Sequence, residues 1–175
     1  YNRLRTHKNQ VENAFAQIDV QLKRRHDLIP NLVEVARGYM QHEAQTLEAV
    51  IRARGDAVSA ADKARQSPGK AQAMGALMAA EQVLGGQVGL LMALAEAYPT
   101  LKADARMQQL SEEITSTENR IGFARQSYND EVLEFNNQAG QFPDLIVARL
   151  VGFVHMDMLA STQSEQERAV PRVRF

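Results

Sequence analysis

The chain has 175 residues, of which 45% are hydrophobic and 6% aromatic, with a formal net charge of −1 and no cysteine or tryptophan. This length fits one domain with a buried core, and the small net charge gives no general attraction to nucleic acid. The absence of cysteine excludes disulfides, thiolate catalysis and cysteine-based zinc sites.

The first helical pattern runs from about residue 2 to residue 65, with apolar residues repeating every seven positions. The repeat places Val11, Ile18, Arg25, Leu32 and Tyr39 at position a, and Phe15, Leu22, Ile29, Ala36 and Glu43 at position d. Pro30 lies inside the pattern, where it removes a backbone donor and displaces the carbonyl of His26. Because the repeat continues in phase beyond it, we predict a kink at Pro30. A bundle of four elements split at Pro30 is the alternative to a three-helix bundle.

Two further long helices follow. The turn residues at 66–69 predict a loop, the second helix covers about 70–98, and Pro99 stops it. Asp104 is the predicted N-cap of a third helix that ends near Gly140. The seam of the second helix reads Leu77, Glu81, Leu84, Val88, Leu91, Ala95 and Tyr98, and that of the third Ile114, Ile121, Tyr128, Phe135 and Phe142.

After the third helix, a short, very apolar stretch at 144–159 predicts a final helix or turn docked on the bundle. Residues 161–175 are polar, and we predict a disordered tail there. The sequence therefore predicts an all-α protein, an antiparallel bundle of three to four long helices. Its domain covers residues 1–160.

No pattern of residues predicts catalysis or metal binding. His42 and Glu43 begin a zinc-protease helix motif, but Thr46 stands where the second histidine is required. Gly85, Gly86 and Gly89 follow no strand, and they favour close helix packing or a local break over a phosphate loop. We predict no enzyme, no cofactor and no catalytic or metal-binding residue.

Several polar residues nevertheless lie where the heptad repeat expects apolar ones. Arg25 and Glu43 point inward and need partners to offset their desolvation. We predict a buried network between Arg25 and a carboxylate, which fixes the register of the helices. The candidate partners are Asp19, Asp27, Glu34 and Glu43 on the first helix and Glu112, Glu113, Glu118 and Asn119 on the third.

The functional alternative is a groove lined by Arg25, Asp27, Asn31 and Arg120, which would bind an acidic or peptide partner. Tyr128 and Asn129 lie near the same stripe of the third helix. The ring of Tyr128 belongs to the core by its heptad position, so its hydroxyl needs a hydrogen-bond partner.

No membrane-spanning helix is predicted within these residues. The longest uncharged run, at 82–95, has about fourteen residues, whereas a span needs about twenty. We therefore predict that this run belongs to the core.

Several segments carry a resemblance that runs in order from Tyr1 to about Phe153. They read IDVQLKRRHDLIPNL, TLEAVIRAR, AEAYPTLKA, TENRI, ARQSYN and QFPDLIVARLVGF. Together they closely resemble the LemA family of bacterial membrane-anchored helical proteins. The resemblance implies the same helical bundle, with a single transmembrane helix just before Tyr1. We therefore expect this chain to be a soluble part of a single-pass protein of a bacterial cytoplasmic or organelle membrane. Arg3, Arg5 and Lys8, with no acid nearby, favour the cytoplasmic side.

For function, we predict a non-enzymatic scaffold that presents a helical surface to a protein partner at a membrane. The resemblance makes this more specific, since some LemA relatives belong to magnetosome-forming systems, where they are associated with membrane formation. The alternative is a small-ligand receptor or enzyme with a polar site in the bundle around Arg25 and Glu43.

Overall fold

The computed structural model describes residues 2–141 and 144–159, and no strand occurs within them. The helices are α1 (Asn2–Arg37), α2 (Ala44–Gln66), α3 (Ala71–Ala95), α4 (Pro99–Lys102), α5 (Ala105–Gly140) and α6 (Asp144–Val151). The all-α bundle is confirmed. The predicted tail at 161–175 lies outside the described residues, so the domain boundary near residue 160 stays a prediction.

The four long helices run up, down, up and down, but they do not enclose the core equally. The α1 backbone packs most closely against α5, α2 packs against α3, and the contact between α1 and α2 joins these two pairs. The backbones of α3 and α5 make almost no close approach. One side of the bundle is therefore open between α3 and α5.

The first helical pattern is interrupted at residues 38–43, so its predicted extent and the alternative split at Pro30 are both wrong. A single helix to residue 65 does not form, and the break does not fall at Pro30. Gly38 follows the last turn of α1, and the backbone amides of Tyr39 and Met40 both donate to the carbonyl of Ala36. Met40 is fully buried in this turn, which anchors the connection to the core.

Helix α1 continues through Pro30 because the carbonyl that proline leaves unpaired finds another donor. Pro30 has no amide hydrogen for the carbonyl of His26, four residues earlier. The Nε of Arg54, on α2, donates to this carbonyl oxygen at 2.5 Å. The predicted kink at Pro30 stays a prediction.

The buried residues form two apolar clusters, one toward each end of the bundle. On α1 the first cluster ends at Leu22 and the second begins at Ile29. On α3 the corresponding residues are Leu77 and Leu84. Between the two clusters lie Arg25 and His26 on α1 and Glu81 on α3. These residues form a polar layer that divides the core.

The last long helix begins and ends as the sequence predicts. The side chain of Asp104 caps α5 by accepting hydrogen bonds from the amides of Arg106 and Met107, and α5 ends at Gly140. The apolar helix after it is confirmed, but only as far as Val151.

Gly152 ends α6 with φ +71°, a backbone conformation that favours glycine. The amide of Phe153 donates to the carbonyl of Ala148 at 2.9 Å, as in a Schellman cap. Residues 153–159 are not helical, so of the stretch 144–159, predicted as a final helix or turn, only the first part is a helix.

Candidate functional site

The polar layer is centred on a carboxylate that two neighbouring α1 residues share. Arg25 is 7% exposed and His26 4% exposed, and both reach across to Glu81 on α3, whose side chain is 10% exposed. Arg25 Nη2 pairs with Glu81 Oε2, and His26 Nε2 lies 2.6 Å from Glu81 Oε1. Both oxygens of Glu81 are therefore occupied, and α1 and α3 are fixed in one axial register.

The pKa of Glu81 reflects two opposing effects. Burial alone would raise the pKa of this carboxyl, because a charge is less stable away from water. The hydrogen bond with His26 and the charge of Arg25 outweigh burial, and the pKa falls below its ordinary value. Glu81 is therefore a carboxylate at neutral pH, held by its partners rather than by solvent.

A third helix contributes to this layer from the rim. Glu118, on α5, lies 3.6 Å from Arg25 Nη1, with 45% of its side chain exposed. Arg24, the residue before Arg25, instead lies on the outer surface, where it is 3.8 Å from Glu113. Neighbouring arginines on α1 thus have different environments.

A cavity of about 480 Å³ lies beside this network, between α1, α3 and α5. Its polar lining residues are Arg25, Glu81, Gln82, Glu118 and Arg125, and its apolar ones are Ile18, Leu22, Leu77, Met78, Ile121 and Leu159. Gly85, Gly86 and Gly122 also line it, and a Cβ added at any of them would meet nothing within 4 Å. Gly85 and Gly86 were predicted to mark close helix packing or a local break, but α3 is continuous there and both glycines border open space.

The remaining predicted polar residues of α1 and the turn after it do not join this cluster. Asp19 accepts two hydrogen bonds from Arg65 of α2, at 2.8 and 3.2 Å. Glu43 lies in the turn before α2, where Tyr98 donates to it at 3.4 Å. Arg25 and Glu43 are separated by the last twelve residues of α1, about 18 Å at 1.5 Å per residue, and by the turn. They do not share one site.

The residues of the alternative groove are also separated. Asp27 is exposed, and Asn31 lines a surface depression near Tyr39 and Arg106. Arg120 lines another, which contains the 74% exposed ring of Phe123. Asn119 is exposed on α5. The structure brings Arg25, Asp27, Asn31 and Arg120 into no common groove.

Tyr128 and Asn129 hold the last described residues of the chain. Tyr128 is fully buried, and its hydroxyl donates to the carbonyl of Asp157 at 3.3 Å. Burial, followed by the charge of Asp157, raises the pKa of Tyr128 to about 12. Asn129 exchanges two hydrogen bonds with the backbone of Leu159, both at 2.7 Å.

Helix α3 has an unusual surface. Its 25 residues contain a single ionisable residue, Glu81, which is directed into the core. Among the described residues, α3 is the one helix long and apolar enough by composition to cross a membrane, yet only 22% of its most apolar 18 residues are buried. Val83 and Leu90 are 55% and 48% exposed. The uncharged run at 82–95 was predicted to belong to the core, but the structure buries only one face of it.

A match to a family model shows which protein family this chain belongs to. Residues 14–175 match the LemA family. The chain belongs to the LemA family. The resemblance carried by the α1 motif and the later segments is therefore confirmed.

Curated relatives of this LemA-family chain include magnetosome proteins. Magnetosome proteins MamQ 2 and MamQ 1 of Paramagnetospirillum magneticum are each 24% identical over 168 residues, which covers 87% of this chain and 62% of the relative. Magnetosome protein MamQ of Magnetospirillum gryphiswaldense is 23% identical over 172 residues, covering 90% of this chain and 63% of the relative. The chain thus spans less than two thirds of the length of these relatives.

Sequence reasoning about the LemA-family chain missed three members of the polar layer: His26, Arg54 and Glu81. Glu81 carried a usable signal, since it is the one charged residue in the seam of the second helix. Pairing it with Arg25, the one basic residue in the seam of the first, would have identified the central contact. No comparable signal marks Arg54, whose partner is a backbone carbonyl.

Proposed function

We propose that this protein is a non-enzymatic scaffold or adaptor, held at a bacterial membrane, that presents the open face of α3 to a protein partner. The observation that carries this proposal is the burial of α3. A helix that is apolar on all sides is normally surrounded, either by protein or by lipid. Here a single bundle covers one face and leaves the other in contact with solvent.

The chemistry of the exposed face favours a protein surface. It has apolar side chains at Val83 and Leu90, small ones at Ala79, Gly86 and Ala93, and no charge. Small residues let another helix approach the backbone closely, and apolar side chains supply area to bury. A helix laid against this face would also lie beside the gap between α3 and α5.

Photo-crosslinking in cells tests this proposal in the full-length protein. A photoreactive amino acid at Val83 or Leu90 should give a discrete adduct with one protein. Ile51, on α2, is the matched control, since it is 44% exposed and also apolar. Adducts of the same size and yield from all three positions would contradict a partner at α3, and lipid adducts alone would assign this face to the bilayer.

A more specific role is to organise a membrane. The curated relatives named above are magnetosome proteins, which supports placing this protein at a bacterial membrane as well. Removing the gene and imaging the cells by electron tomography would test the role. Unchanged membrane morphology would contradict a role in organising the membrane.

We also propose that the domain faces the cytoplasm, as a single-pass protein. Arg3, Arg5 and Lys8, near the start of α1, carry positive charge, and basic residues beside a span favour the cytoplasmic side. These 175 residues contain no cysteine, so Ser59→Cys on the exposed surface of α2 gives a label site that is unique within them. This cysteine should react with an impermeant thiol reagent only after lysis, and labelling of intact cells would place the domain outside.

The cavity supports a second candidate, a receptor for a small ligand. It contains two cationic and two anionic side chains, Arg25, Arg125, Glu81 and Glu118, beside an apolar wall. That lining suits a zwitterion with an apolar body. Gly86→Leu should fill the cavity, because a Cβ there meets nothing. If a panel of apolar amino acids and short peptides raises the melting temperature of the wild type but not of Gly86→Leu, the receptor is favoured. No shift with either protein favours the scaffold.

A further inference from the structure

The segment at 153–159 lies along α5 and directs every third side chain inward. Phe153, Met156 and Leu159 are at least partly buried, and the intervening residues are exposed. A three-residue repeat is that of a polyproline II chain, which makes no hydrogen bonds within itself. The backbone amides and carbonyls of such a segment bond to water where they are exposed and need protein partners where they are buried.

Two asparagines of α5 supply such partners to Met156 and Leu159, the two inward-facing residues at the end of the segment. Asn136 donates to the carbonyl of Met156 at 2.9 Å and accepts from its amide at 3.0 Å. Asn129 does the same for Leu159. Each asparagine side chain thus both donates to and accepts from the backbone of one residue of the segment, as the backbone of a neighbouring β-strand would.

The spacing of the two asparagines matches that of the residues they hold. Asn129 and Asn136 are one heptad apart, about 10.5 Å along a helix at 1.5 Å per residue. Met156 and Leu159 are three residues apart, about 9.3 Å at 3.1 Å per residue. The order of the pairs makes the segment antiparallel to α5. Any extended chain with this rise can form both contacts, because they involve only its backbone.

The side chains of the segment restrict the peptides that can bind here only to those with apolar residues at the inward positions. The ring of Phe153 packs edge-on against Phe135, with centroids 6.0 Å apart, and Lys8 lies 5.9 Å from the same ring. Met156 packs against Gly69 in the turn between α2 and α3. Leu159 is 1% exposed. The surface that holds this segment, formed by Asn129, Phe135 and Asn136 of α5 with Gly69, is here called the α5 groove. The α5 groove therefore accepts an extended peptide with apolar residues at positions n, n+3 and n+6.

We propose that this groove binds the 153–159 segment of a second copy of the chain, so that two copies exchange their C-terminal segments. The second copy is an occupant whose sequence is known to fit, because the same residues fill the groove within one copy. Exchange replaces each contact by an identical one and is a low-cost route to a dimer. This inference does not depend on the α3 surface.

The connecting helix α6 gives an independent reason for the exchange. Ile146 and Leu150, four residues apart on one face of α6, are 52% and 82% exposed, and Val154, just beyond it, is 76% exposed. Within one copy, these apolar side chains are left largely uncovered. An exposed apolar patch of this kind favours association, and we expect an exchanged pair to cover it.

Complementation between two defective variants tests the exchange. The first, Met156→Asp with Leu159→Asp, keeps the groove but loses a segment that can fill it. The second, Asn129→Ala with Asn136→Ala, keeps the segment but loses the groove. Alanine favours the helix, and the core residues of α5 are untouched. The dimerisation of the wild type, of each variant alone and of an equimolar mixture of the two variants is measured by analytical ultracentrifugation and by native mass spectrometry.

We expect the wild type to dimerise and each variant alone to associate at least tenfold more weakly. Their mixture should form a 1:1 heterodimer at least tenfold more tightly than either variant associates with itself. A wild type that stays monomeric, equal dimerisation of all three proteins, or a mixture with no heterodimer would each overturn the proposal. If a double variant loses its helical circular dichroism signal, Leu159→Asp and Asn136→Ala provide the same comparison with single changes.

Discussion

Truncating Arg25 removes a buried charge from the polar layer, whereas truncating Arg24 changes only the surface. Arg25→Ala leaves Glu81 in the core with a single partner, His26. Breaking a buried ion pair from one side costs about 3–5 kcal/mol. We expect the lower end, about 3 kcal/mol, because His26 still binds one oxygen of Glu81. Arg24→Ala removes a contact of 3.8 Å in which half of the arginine is exposed. Its effect should stay within about 0.5 kcal/mol.

Two further variants separate the charge of Arg25 from its volume. Arg25→Met refills the space left by the side chain, so it should lose about 1 kcal/mol less than Arg25→Ala. Combining Arg25→Met with Glu81→Leu removes both charges and should recover most of the stability, because an apolar pair of similar size is often neutral or stabilising.

Thermal and urea unfolding of these variants, at fixed pH and salt, measures the differences. For a chain of this size, a loss of about 3 kcal/mol lowers the melting temperature by about 6–12 °C. Equal melting of Arg24→Ala and Arg25→Ala would refute the structural role of Arg25. Unchanged melting of Arg25→Ala with loss of partner capture would instead support a binding role for this residue.

Other perturbations follow from the same structure. Because the folded-state pKa of Glu81 is depressed, its stabilisation is present above its ordinary pKa of 4.5 and is lost as pH falls through the folded value. The stability difference between wild type and Glu81→Gln in urea titrations should therefore shrink below about pH 4.5, and a constant difference would contradict the shift. The pKa of Tyr128 is raised from 10.0 to about 12, so its contribution is present below pH 10 and is lost as pH approaches 12. Tyr128→Phe should remove this alkaline loss, and ultraviolet titration should show one fewer tyrosine that ionises late. Arg54→Ala leaves the carbonyl of His26 unpaired, at about 1–3 kcal/mol, whereas Arg52→Ala, an exposed neighbour, should cost little in the same melts.

The heptad repeat predicted the interior of each helix well because burial along one helix depends on local spacing alone. Ile18, Arg25 and Leu32 are all buried as their positions require. The repeat did not predict where α1 ends, since its phase continues to Glu43 although the helix stops at Arg37. Gly38, directly after a basic last turn, was the available stop signal.

Contacts between helices were harder to predict than contacts along them. A repeat gives the inward face of α1 and of α3, but it does not give the axial position of one helix against the other. Arg25 was therefore assigned partners on the first and third helical patterns, while Glu81, at the same level of the bundle, was not considered.

The end of the chain shows a different limit. The apolar run at 144–159 predicted a final helix or turn, but Gly152 ends α6, and Asn129 and Asn136 hold the residues after it. Local propensity gives little signal for a segment without backbone hydrogen bonds of its own, because the partners that hold it lie on another element.

Crosslinking from Val83 in two charge variants tests most directly whether α3 is the partner surface. Leu90→Lys and Ile51→Lys place the same charge at residues 48% and 44% exposed, on α3 and α2 respectively. Both should melt as the wild type does, within about 0.5 kcal/mol for surface changes. We expect the Val83 adduct to persist with Ile51→Lys and to disappear with Leu90→Lys. An adduct that survives Leu90→Lys at wild-type yield would contradict the account.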